Sequence, residues 1–256
     1  MIRLVIEYWN SSDEERNIEV KNTINKNIKS GYFDHIIIFT QSYEGTSDII
    51  KQEIVDLHIG FPKRYCDMID YINEITSEND INIISNSDIL FDETIVNSNK
   101  VERGEVYCLS RWENGTPYGE MIIATDNQTK YKTTADTWVW LGKLNYISAY
   151  DFRNNLFFFG DYCLGEIGCD NAFAFDLVIS KYVVWNPFDK IKCHHIHDSK
   201  IRNGSSNNNN YQNLRIPNTR YMAGVPFVKG EKPQILHQPF SLHSGLTLKI
   251  DTGDYW

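Results

Sequence analysis

The chain has 256 residues, of which 41% are apolar and 13% aromatic, and its formal net charge at pH 7 is −9. This composition is typical of a folded globular protein and excludes a disordered chain. The acidic balance argues against a nucleic-acid partner or a membrane surface, because both require a basic face. No stretch approaches the roughly 18 apolar residues that a membrane-spanning helix needs.

The cysteines and the first ten residues indicate the cellular compartment. The five cysteines are odd in number and lie mostly in apolar segments. We therefore expect free thiols and a cytoplasmic location. The opening sequence MIRLVIEYWN runs from a short apolar stretch into acidic residues, which predicts a strand and not a signal peptide.

The first forty residues predict a strand, a helix and a second strand. Residues 2–8 and 35–40 are the two β-rich runs. Between them, residues 12–29 begin with a capping-box pattern at Ser12 and carry an apolar stripe at helical spacing. Gly31 ends the helix. This order predicts a parallel sheet with a right-handed crossover.

The alternation of strands and helices continues along the chain. Residues 41–61 are polar and irregular, so we interpret them as a connection or flap. Pro62 begins a second helix, a short helix opens at Asp92, and a third helix follows residues 165–171. Strands are predicted at residues 81–84, 106–110, 121–124, 137–141, 155–160, 182–185 and 191–196. The last two of these are expected to close the sheet.

The C-terminal part has a different character. Residues 203–210, NGSSNNNN, form a low-complexity polar loop, and the residues after it have no firm periodicity. We therefore predict an α/β fold with one domain over residues 1–202. Residues 203–256 are expected to be an irregular C-terminal extension packed on the same domain.

The segment 81–95, INIISNSDILFDETI, contains the first candidate site. Asn86, Ser87 and Asp88 follow the carboxyl end of a predicted buried strand. In open α/β sheets ligands bind at this edge, and a carboxylate there can hold a divalent cation that binds a diphosphate. Turn formation alone is the competing explanation, because Asn, Ser and Asp favour turns.

Two further groups lie at predicted strand ends. Arg111 and Trp112 follow one strand, and a guanidinium there can bind phosphate or carboxylate with two parallel hydrogen bonds. An ordinary ion pair of Arg111 with Glu113 or Glu102 explains the same residue equally well. Asp136 precedes the aromatic strand TWVW, where a turn is the simpler interpretation.

The sequence GEIGCDN at residues 165–171 leads into the third predicted helix. Its two glycines allow the backbone to approach a ligand closely. Asp170 at the helix start would face the site and could act as a general base on a substrate hydroxyl. Helix N-capping is the alternative role, because Asp is a good N-cap.

The sequence CHHIHDS at residues 193–199 is the fourth candidate group. In a strand His195 and His197 point to the same face, which is a usual arrangement of metal ligands. Cys163 or Cys169 could complete a zinc site, although no paired cysteine spacing supports one. An oxygen-rich site with one histidine favours Mn²⁺ or Mg²⁺ over zinc.

Taken in order, seven segments of the chain resemble GT-A-type glycosyltransferases, which are nucleotide-sugar enzymes with a Rossmann-like sheet. These segments are LVIEYW, HIIIFT, IISNSDILFDETI, LSRWE, DTWVW, GEIGCDN and HIHDSKIR. The resemblance covers residues 2–202 and depends on the ordered set of motifs. It implies a Rossmann-like GT-A fold with a mostly parallel central sheet flanked by helices.

The same resemblance implies a metal site. The triplet Asn86, Ser87 and Asp88 stands where the family carries its Asp-x-Asp motif, whose last Asp binds the metal that bridges the donor diphosphate. The first Asp of the motif is Asn86 here, which lowers the metal affinity or lets this residue contact the ribose. His195 or His197 matches the C-terminal histidine that completes the metal shell in many members.

The resemblance further implies an activity and the roles of other residues. Asp170 is similar to the acid that deprotonates the acceptor hydroxyl in inverting members, and Arg202 would steady the diphosphate. The candidate nucleotide-sugar contacts are Asn86, Ser87, Arg111, Trp112, Asp136, Asn171 and Arg202. The expected reaction is transfer of a sugar from a nucleotide-sugar, a UDP-sugar being the first choice, to a hydroxyl of a glycan or other acceptor with Mn²⁺ or Mg²⁺.

Two other functions stay open. A sugar nucleotidyltransferase also has a Rossmann-like sheet and acidic metal sites, but it usually carries a Gly-rich loop with Lys or Arg after the first strand. Residues 8–11, YWNS, have neither feature. The second is a catalytically inactive glycan-binding or scaffolding domain, which the Asn at position 86 and the Asn-rich loop support.

Overall fold

The structure is a computed structural model that describes residues 1–50, 52–60, 64–113, 116–117, 135–152, 155–165, 169–197, 240–241 and 247–248. Its strands are β1 (Ile2–Tyr8), β2 (His35–Thr40), β3 (Val55–Ile59), β4 (Ile81–Ser85), β5 (Ile89–Phe91), β6 (Glu105–Leu109), β7 (Arg111–Glu113), β8 (Thr116–Pro117), β9 (Thr137–Leu141), β10 (Ala149–Phe152), β11 (Asn155–Phe158), β12 (Val183–Trp185), β13 (Cys193–His195), β14 (Phe240–Ser241) and β15 (Thr247–Leu248). Its helices are α1 (Glu14–Lys29), α2 (Tyr65–Ile75), a 3₁₀ helix (Glu93–Lys100) and α3 (Cys169–Ile179).

Seven strands form the central sheet, in the order β12-β6-β9-β4-β1-β2-β3. All of them run in the same direction except β9, which is antiparallel to both of its neighbours, β4 and β6. The predicted α/β fold with a mostly parallel central sheet flanked by helices is therefore confirmed.

Helices cover both faces of this sheet. Alternate residues of β1 show the division, because Leu4 and Ile6 pack on the face covered by α1, whereas Val5 packs on the face covered by α2 and α3. Burial on both sides explains why β1, β2 and β4 are almost continuously apolar. The polar residues at the ends of these strands are therefore the candidates for a functional site.

Helix α1 begins one residue later than its capping box predicts. Asp13, and not Ser12, is the N-cap, because its carboxylate accepts a hydrogen bond of 2.9 Å from the backbone N–H of Arg16. The apolar stripe is buried as predicted. Gly31 follows the C-cap with a φ of 73°, a left-handed conformation that glycine adopts without strain. The short helix predicted at Asp92 is also confirmed, with Asp92 as its N-cap.

The interpretation of residues 41–61 as an irregular connection is wrong in part. The strand β3 lies within this segment and extends the sheet at its edge, parallel to β2. Its sequence contains the polar residues Asp56 and His58. Asp56 is exposed and its carboxylate lies 2.7 Å from Nε2 of His35. A half-exposed edge strand of this kind lacks the apolar run that identifies the buried strands.

Two predicted strands do not belong to the central sheet. The strand β13, predicted to close that sheet, lies instead in a second sheet of order β5-β13-β7-β8. It pairs antiparallel with β5 and parallel with β7. The strand β11 pairs only with β10 among the described residues, in a hairpin. Periodicity identifies a strand but not its partner, because pairing depends on the direction in which the chain returns.

Other predictions fall on residues that are not described. They concern the strand at residues 121–124, the helix start at Pro62, the polar loop at residues 203–210 and Arg202. In the C-terminal extension the structure describes one short antiparallel pair, formed by β14 and β15. None of the helices in the described part of the chain has the length and apolar character needed to cross a bilayer.

Candidate functional site

The second sheet brings the candidate residues together. Asp88 lies between the end of β4 and the start of β5, whereas Arg111 and Glu113 belong to β7. His195 is the last residue of β13, which runs between β5 and β7. The backbone N–H of Ile196 donates a hydrogen bond of 2.8 Å to the carbonyl of Asp88. Pairing of strands that are distant in sequence therefore builds this site.

Asp88, His195 and His197 form a group that could hold a metal ion. Their potential ligand atoms all lie within 4.8 Å of one another. The imidazole rings of His195 and His197 are stacked, with centroids 5.3 Å apart and planes inclined by 13°. The strand ends at His195, yet His197 still presents its ring on the same side. Among the described residues it is the only group of potential metal ligands with this geometry, and it contains no cysteine.

Two atoms of this group are available to a cation. Oδ1 of Asp88 and Nε2 of His197 are buried and have no hydrogen-bond partner among the described residues. Leaving a buried polar atom unsatisfied costs about 1–3 kcal/mol. A metal ion bound between them would remove that cost, so the residues present fit a divalent cation.

His195 is oriented for metal binding by a second carboxylate. Its Nδ1 lies 3.3 Å from Oε1 of Glu113, and its Nε2 lies 3.2 Å from Oδ2 of Asp88. Each ring nitrogen of His195 therefore faces a carboxylate, with Glu113 behind the ring and Asp88 on the side of the metal group. A carboxylate behind a metal-binding histidine helps to orient the ring.

The charge states also suit a cation. Burial disfavours ionisation of Asp88, but His195 and Arg16 outweigh it and hold the pKa of this carboxyl below its ordinary value. Burial, reinforced by the charges of Arg16 and His195, lowers the pKa of His197. An ionised carboxylate and a neutral imidazole are the forms that coordinate metals.

The group faces a cavity of about 600 Å³. Six predicted site residues line it, namely Asn86, Ser87, Asp88, Arg111, His195 and His197. Five other residues that line it were not predicted from the sequence, namely Glu7, Trp9, Arg16, Gln41 and Leu164. Glu7 and Trp9 lie at the carboxyl end of β1, so the rule that located Asp88 could have located them as well. Arg16 belongs to α1, and no local pattern distinguishes it.

Arg111 is held by two acids at the floor of the site. Its Nη2 lies 2.9 Å from Oε1 of Glu113 and its Nη1 lies 3.6 Å from Oδ1 of Asp136. The ion pair with Glu113 considered from the sequence is therefore present. Asn86 donates a hydrogen bond of 2.9 Å to the same Oδ1 of Asp136. Asp136 thus ties the start of β9 to the end of β4.

Three predicted residues lie outside the described lining of the cavity. The indole N–H of Trp112 donates to the carbonyl of Phe188 at 2.9 Å, and Nζ of Lys192 lies 4.9 Å from the centroid of its ring. Asp136 is buried behind Arg111 and Asn86. Asp170, in the first turn of α3, accepts a hydrogen bond of 3.4 Å from the backbone N–H of Ala135. The side chains of Asn171 and Arg202 are not described.

Asp136 leads to a prediction about stability. Burial raises the pKa of this carboxyl to about 6, against the opposing charge of Arg111. In the unfolded chain its pKa is about 3.9, so the folded state binds the proton more tightly. Asp136 therefore destabilises the fold increasingly as the pH rises from about 4 to 6. We expect Asp136→Asn to raise the free energy of unfolding at pH 8 by about 1–3 kcal/mol, and by much less at pH 4.

Urea denaturation of the metal-free protein at both pH values would measure this effect. Asp48→Asn is the matched control, because Asp48 is an exposed carboxyl paired with Lys21 and should give no gain at pH 8. An equal change at pH 4 and pH 8 for Asp136→Asn would mean that the raised pKa is not the cause.

Neither protein-family models nor curated protein sequences match the chain. Several solved structures are similar to part of it, and three of them illustrate the likeness. HddC from Yersinia pseudotuberculosis has 13% identity and a TM-score of 0.37, over 55% of this chain and 77% of that one. The 4-diphosphocytidyl-2C-methyl-D-erythritol synthase from Anaerococcus prevotii has 12% identity and a TM-score of 0.35, over 55% and 69%. The 2-C-methyl-D-erythritol 4-phosphate cytidylyltransferase from Francisella tularensis has 12% identity and a TM-score of 0.34, over 56% and 70%.

Proposed function

We propose that this chain is a metal-dependent transferase that binds a nucleotide-sugar and transfers the sugar to a hydroxyl group. The observation that supports this most is the group of Asp88, His195 and His197 at the carboxyl edge of the central sheet, facing a cavity of about 600 Å³. A nucleotide diphosphate needs a cation at its phosphates and a cleft at a strand end, and both features occur here.

Mn²⁺ is the ion that we propose for this group. Two imidazoles and one carboxylate form a mixed nitrogen and oxygen donor set, whereas Mg²⁺ prefers oxygen ligands almost exclusively. When bound, the ion would neutralise negative charge that develops on the leaving nucleotide. Asp88 and His197 would hold it with the atoms that lack protein partners, and Glu113 would help to orient the ring of His195.

The protein's own cations would bind the remaining phosphate charge. Arg16 and Arg111 both line the cavity, and a guanidinium can donate two parallel hydrogen bonds to phosphate oxygens. Trp9, at the end of β1, is an aromatic surface on which a nucleobase could stack. Asn86 replaces the first acid of the Asp-x-Asp motif, and its amide is already engaged by Asp136. This hydrogen bond from its NH₂ group fixes the side chain of Asn86 at the end of β4.

A second candidate is nucleotidyl transfer onto a sugar or polyol phosphate, the type of reaction that the name of the Francisella cytidylyltransferase describes. This reaction would use the same metal and the same arginines. The segment after β1 favours sugar transfer, because residues 9–12, WNSS, contain no glycine and no basic residue. Glycines would be needed for a loop that wraps a triphosphate closely.

Ligand-dependent thermal stability would test the proposed function. UDP, GDP, CMP and dTDP compounds would be screened with Mn²⁺, with Mg²⁺ and with a chelator. A ligand present at 100 times its Kd stabilises the folded state by about 2.7 kcal/mol. For a chain of this size that free energy raises Tm by roughly 5–10 °C. We expect one nucleotide series to give such a shift with Mn²⁺ only.

Product analysis would then separate the two candidate reactions. Sugar transfer releases the nucleoside diphosphate from a nucleotide-sugar when a hydroxyl acceptor is present. Nucleotidyl transfer instead releases pyrophosphate from a nucleoside triphosphate and a sugar phosphate. Metal-dependent binding without either product would favour the inactive binding domain, and no thermal shift with any nucleotide would contradict the proposal.

A further inference from the structure

Arg16 connects three parts of the site. Its Nη2 contacts Oδ2 of Asp88, and its Nη1 contacts Oε1 of Glu19 on the next turn of α1. The same Nη1 donates a hydrogen bond of 3.1 Å to the carbonyl of Ile196, the residue between the two histidines. The side chain is only 8% exposed. A buried guanidinium with this many partners has one defined position.

This position brings Arg16 into competition with a metal ion. Its charge lies against Oδ2 of Asp88, the carboxylate that the metal group depends on, while Oδ1 of the same carboxylate has no protein partner. Two cations close to one carboxylate repel each other in a poorly solvated site. A divalent ion at Oδ1 would therefore weaken the hold of Asp88 on the guanidinium.

Arg16 can leave Asp88 without losing all of its partners. Glu19 lies on the same helix and contacts Nη1, so the side chain keeps one carboxylate if Nη2 turns away. Arg16 also lines the cavity, into which Nη2 would turn. The planar guanidinium presents five N–H donors, which allows it to bind Glu19 and an external phosphate together.

We propose that Arg16 is the resident counter-ion of the metal group. It neutralises Asp88 while no metal is bound, and once a divalent cation occupies Asp88 it turns its free N–H groups to the diphosphate of the nucleotide. Metal and nucleotide are thereby bound in order, because the metal releases the arginine that the nucleotide needs. This inference rests on the proposed function and assigns to Arg16 a role in binding the nucleotide.

The test uses Arg16→Gln and two separate titrations by calorimetry. With MnCl₂ alone, we expect the variant to bind Mn²⁺ about tenfold more tightly than the wild type, because a competing cation has been removed from Asp88. With saturating Mn²⁺, we expect it to bind UDP about tenfold more weakly, because a charged donor to phosphate has been lost. If Arg16 had a purely structural role, its substitution would weaken the binding of both Mn²⁺ and UDP. Opposite changes in the two affinities therefore identify the counter-ion role.

Lys21→Gln is the matched control. It removes one positive charge from the same helix, where Lys21 pairs with Asp48 at 2.9 Å outside the metal group. Both affinities of this variant should stay near those of the wild type. Arg16→Lys provides a second variant in case Arg16→Gln fails to fold. Lysine keeps the charge but lacks the planar fork that spans Asp88 and Glu19, so we expect the same two changes in affinity to be smaller.

The outcomes separate the inference from the function on which it rests. Tighter Mn²⁺ binding with weaker UDP binding supports the counter-ion role. If the wild type binds Mn²⁺ and UDP but neither Arg16 variant binds Mn²⁺ more tightly, the counter-ion role is overturned and the proposed function stands. If the wild type binds neither Mn²⁺ nor UDP, both are overturned.

Discussion

Replacing Asp88 with asparagine should abolish the Mn²⁺-dependent binding of nucleotide diphosphates. The carboxylate is the one anionic ligand in the proposed metal group, and its Oδ1 is free to bind a cation. Loss of a residue that merely orients a metal ligand lowers affinity 10–100-fold, so loss of the ligand itself should lower it on the order of a hundredfold or more. Calorimetry with MnCl₂, and with UDP in the presence and absence of Mn²⁺, would measure both effects.

Asp92→Asn is the matched control for this experiment. Asp92 also pairs with a histidine, its Oδ2 lying 2.8 Å from Nε2 of His194, and it accepts a hydrogen bond from the backbone N–H of Thr94. It takes no part in the metal group. We expect its substitution to keep the N-cap, because asparagine caps a helix as well as aspartate does, and to have no effect on Mn²⁺ binding. Unchanged Mn²⁺ and UDP affinities in Asp88→Asn would remove Asp88 as the metal ligand.

Replacing Asp170 with asparagine should leave donor binding intact and reduce sugar transfer by about 10²–10⁴-fold, the usual contribution of a general base. The carboxylate lies in the first turn of α3, outside the described lining of the cavity, so the role of base requires the acceptor hydroxyl to reach this helix start. An asparagine retains an oxygen that can accept the hydrogen bond from Ala135, so the local fold should persist. Initial rates of nucleotide release with acceptor present would measure transfer, and calorimetry would measure donor binding.

Asp161→Asn is the control for a change of charge near this helix. Asp161 is an exposed carboxyl whose Oδ1 lies 2.8 Å from Nη1 of Arg64. We expect its substitution to leave the transfer rate unchanged. Wild-type transfer rates in Asp170→Asn would exclude Asp170 as the base. A parallel loss of donor binding would assign it to binding instead.

The buried elements of the fold could be predicted because their signals are local. The apolar runs of β1, β2 and β4 and the helical stripe of α1 lie within a few residues of one another in sequence. The edge strand β3 was missed because half-exposed strands need no apolar run. The sheet to which β13 belongs could not be predicted, because strand pairing depends on contacts between residues far apart in sequence.

The candidate site likewise contains residues that local sequence signals could locate and residues that they could not. Asp88 could be located because a polar residue at the end of a buried strand reaches the ligand-binding edge of an α/β sheet. His195 and His197 could be grouped because they are two residues apart. Glu113 behind His195, by contrast, becomes visible only when β7 and β13 pair. The contact of Arg16 with Asp88 joins positions 72 residues apart and has no sequence signature.

The sequence alone therefore determined the buried strands and helices, their order and the residue types available at the strand ends, since these follow from composition and short-range periodicity. The tertiary structure decided which of those residues meet. It brought one carboxylate and two imidazoles within 4.8 Å of one another. It also placed a buried arginine against that carboxylate, and it directed Trp112 to Phe188. The physical reason is that electrostatic and hydrogen-bonding partners are selected by distance in space, which the packing of the two sheets sets.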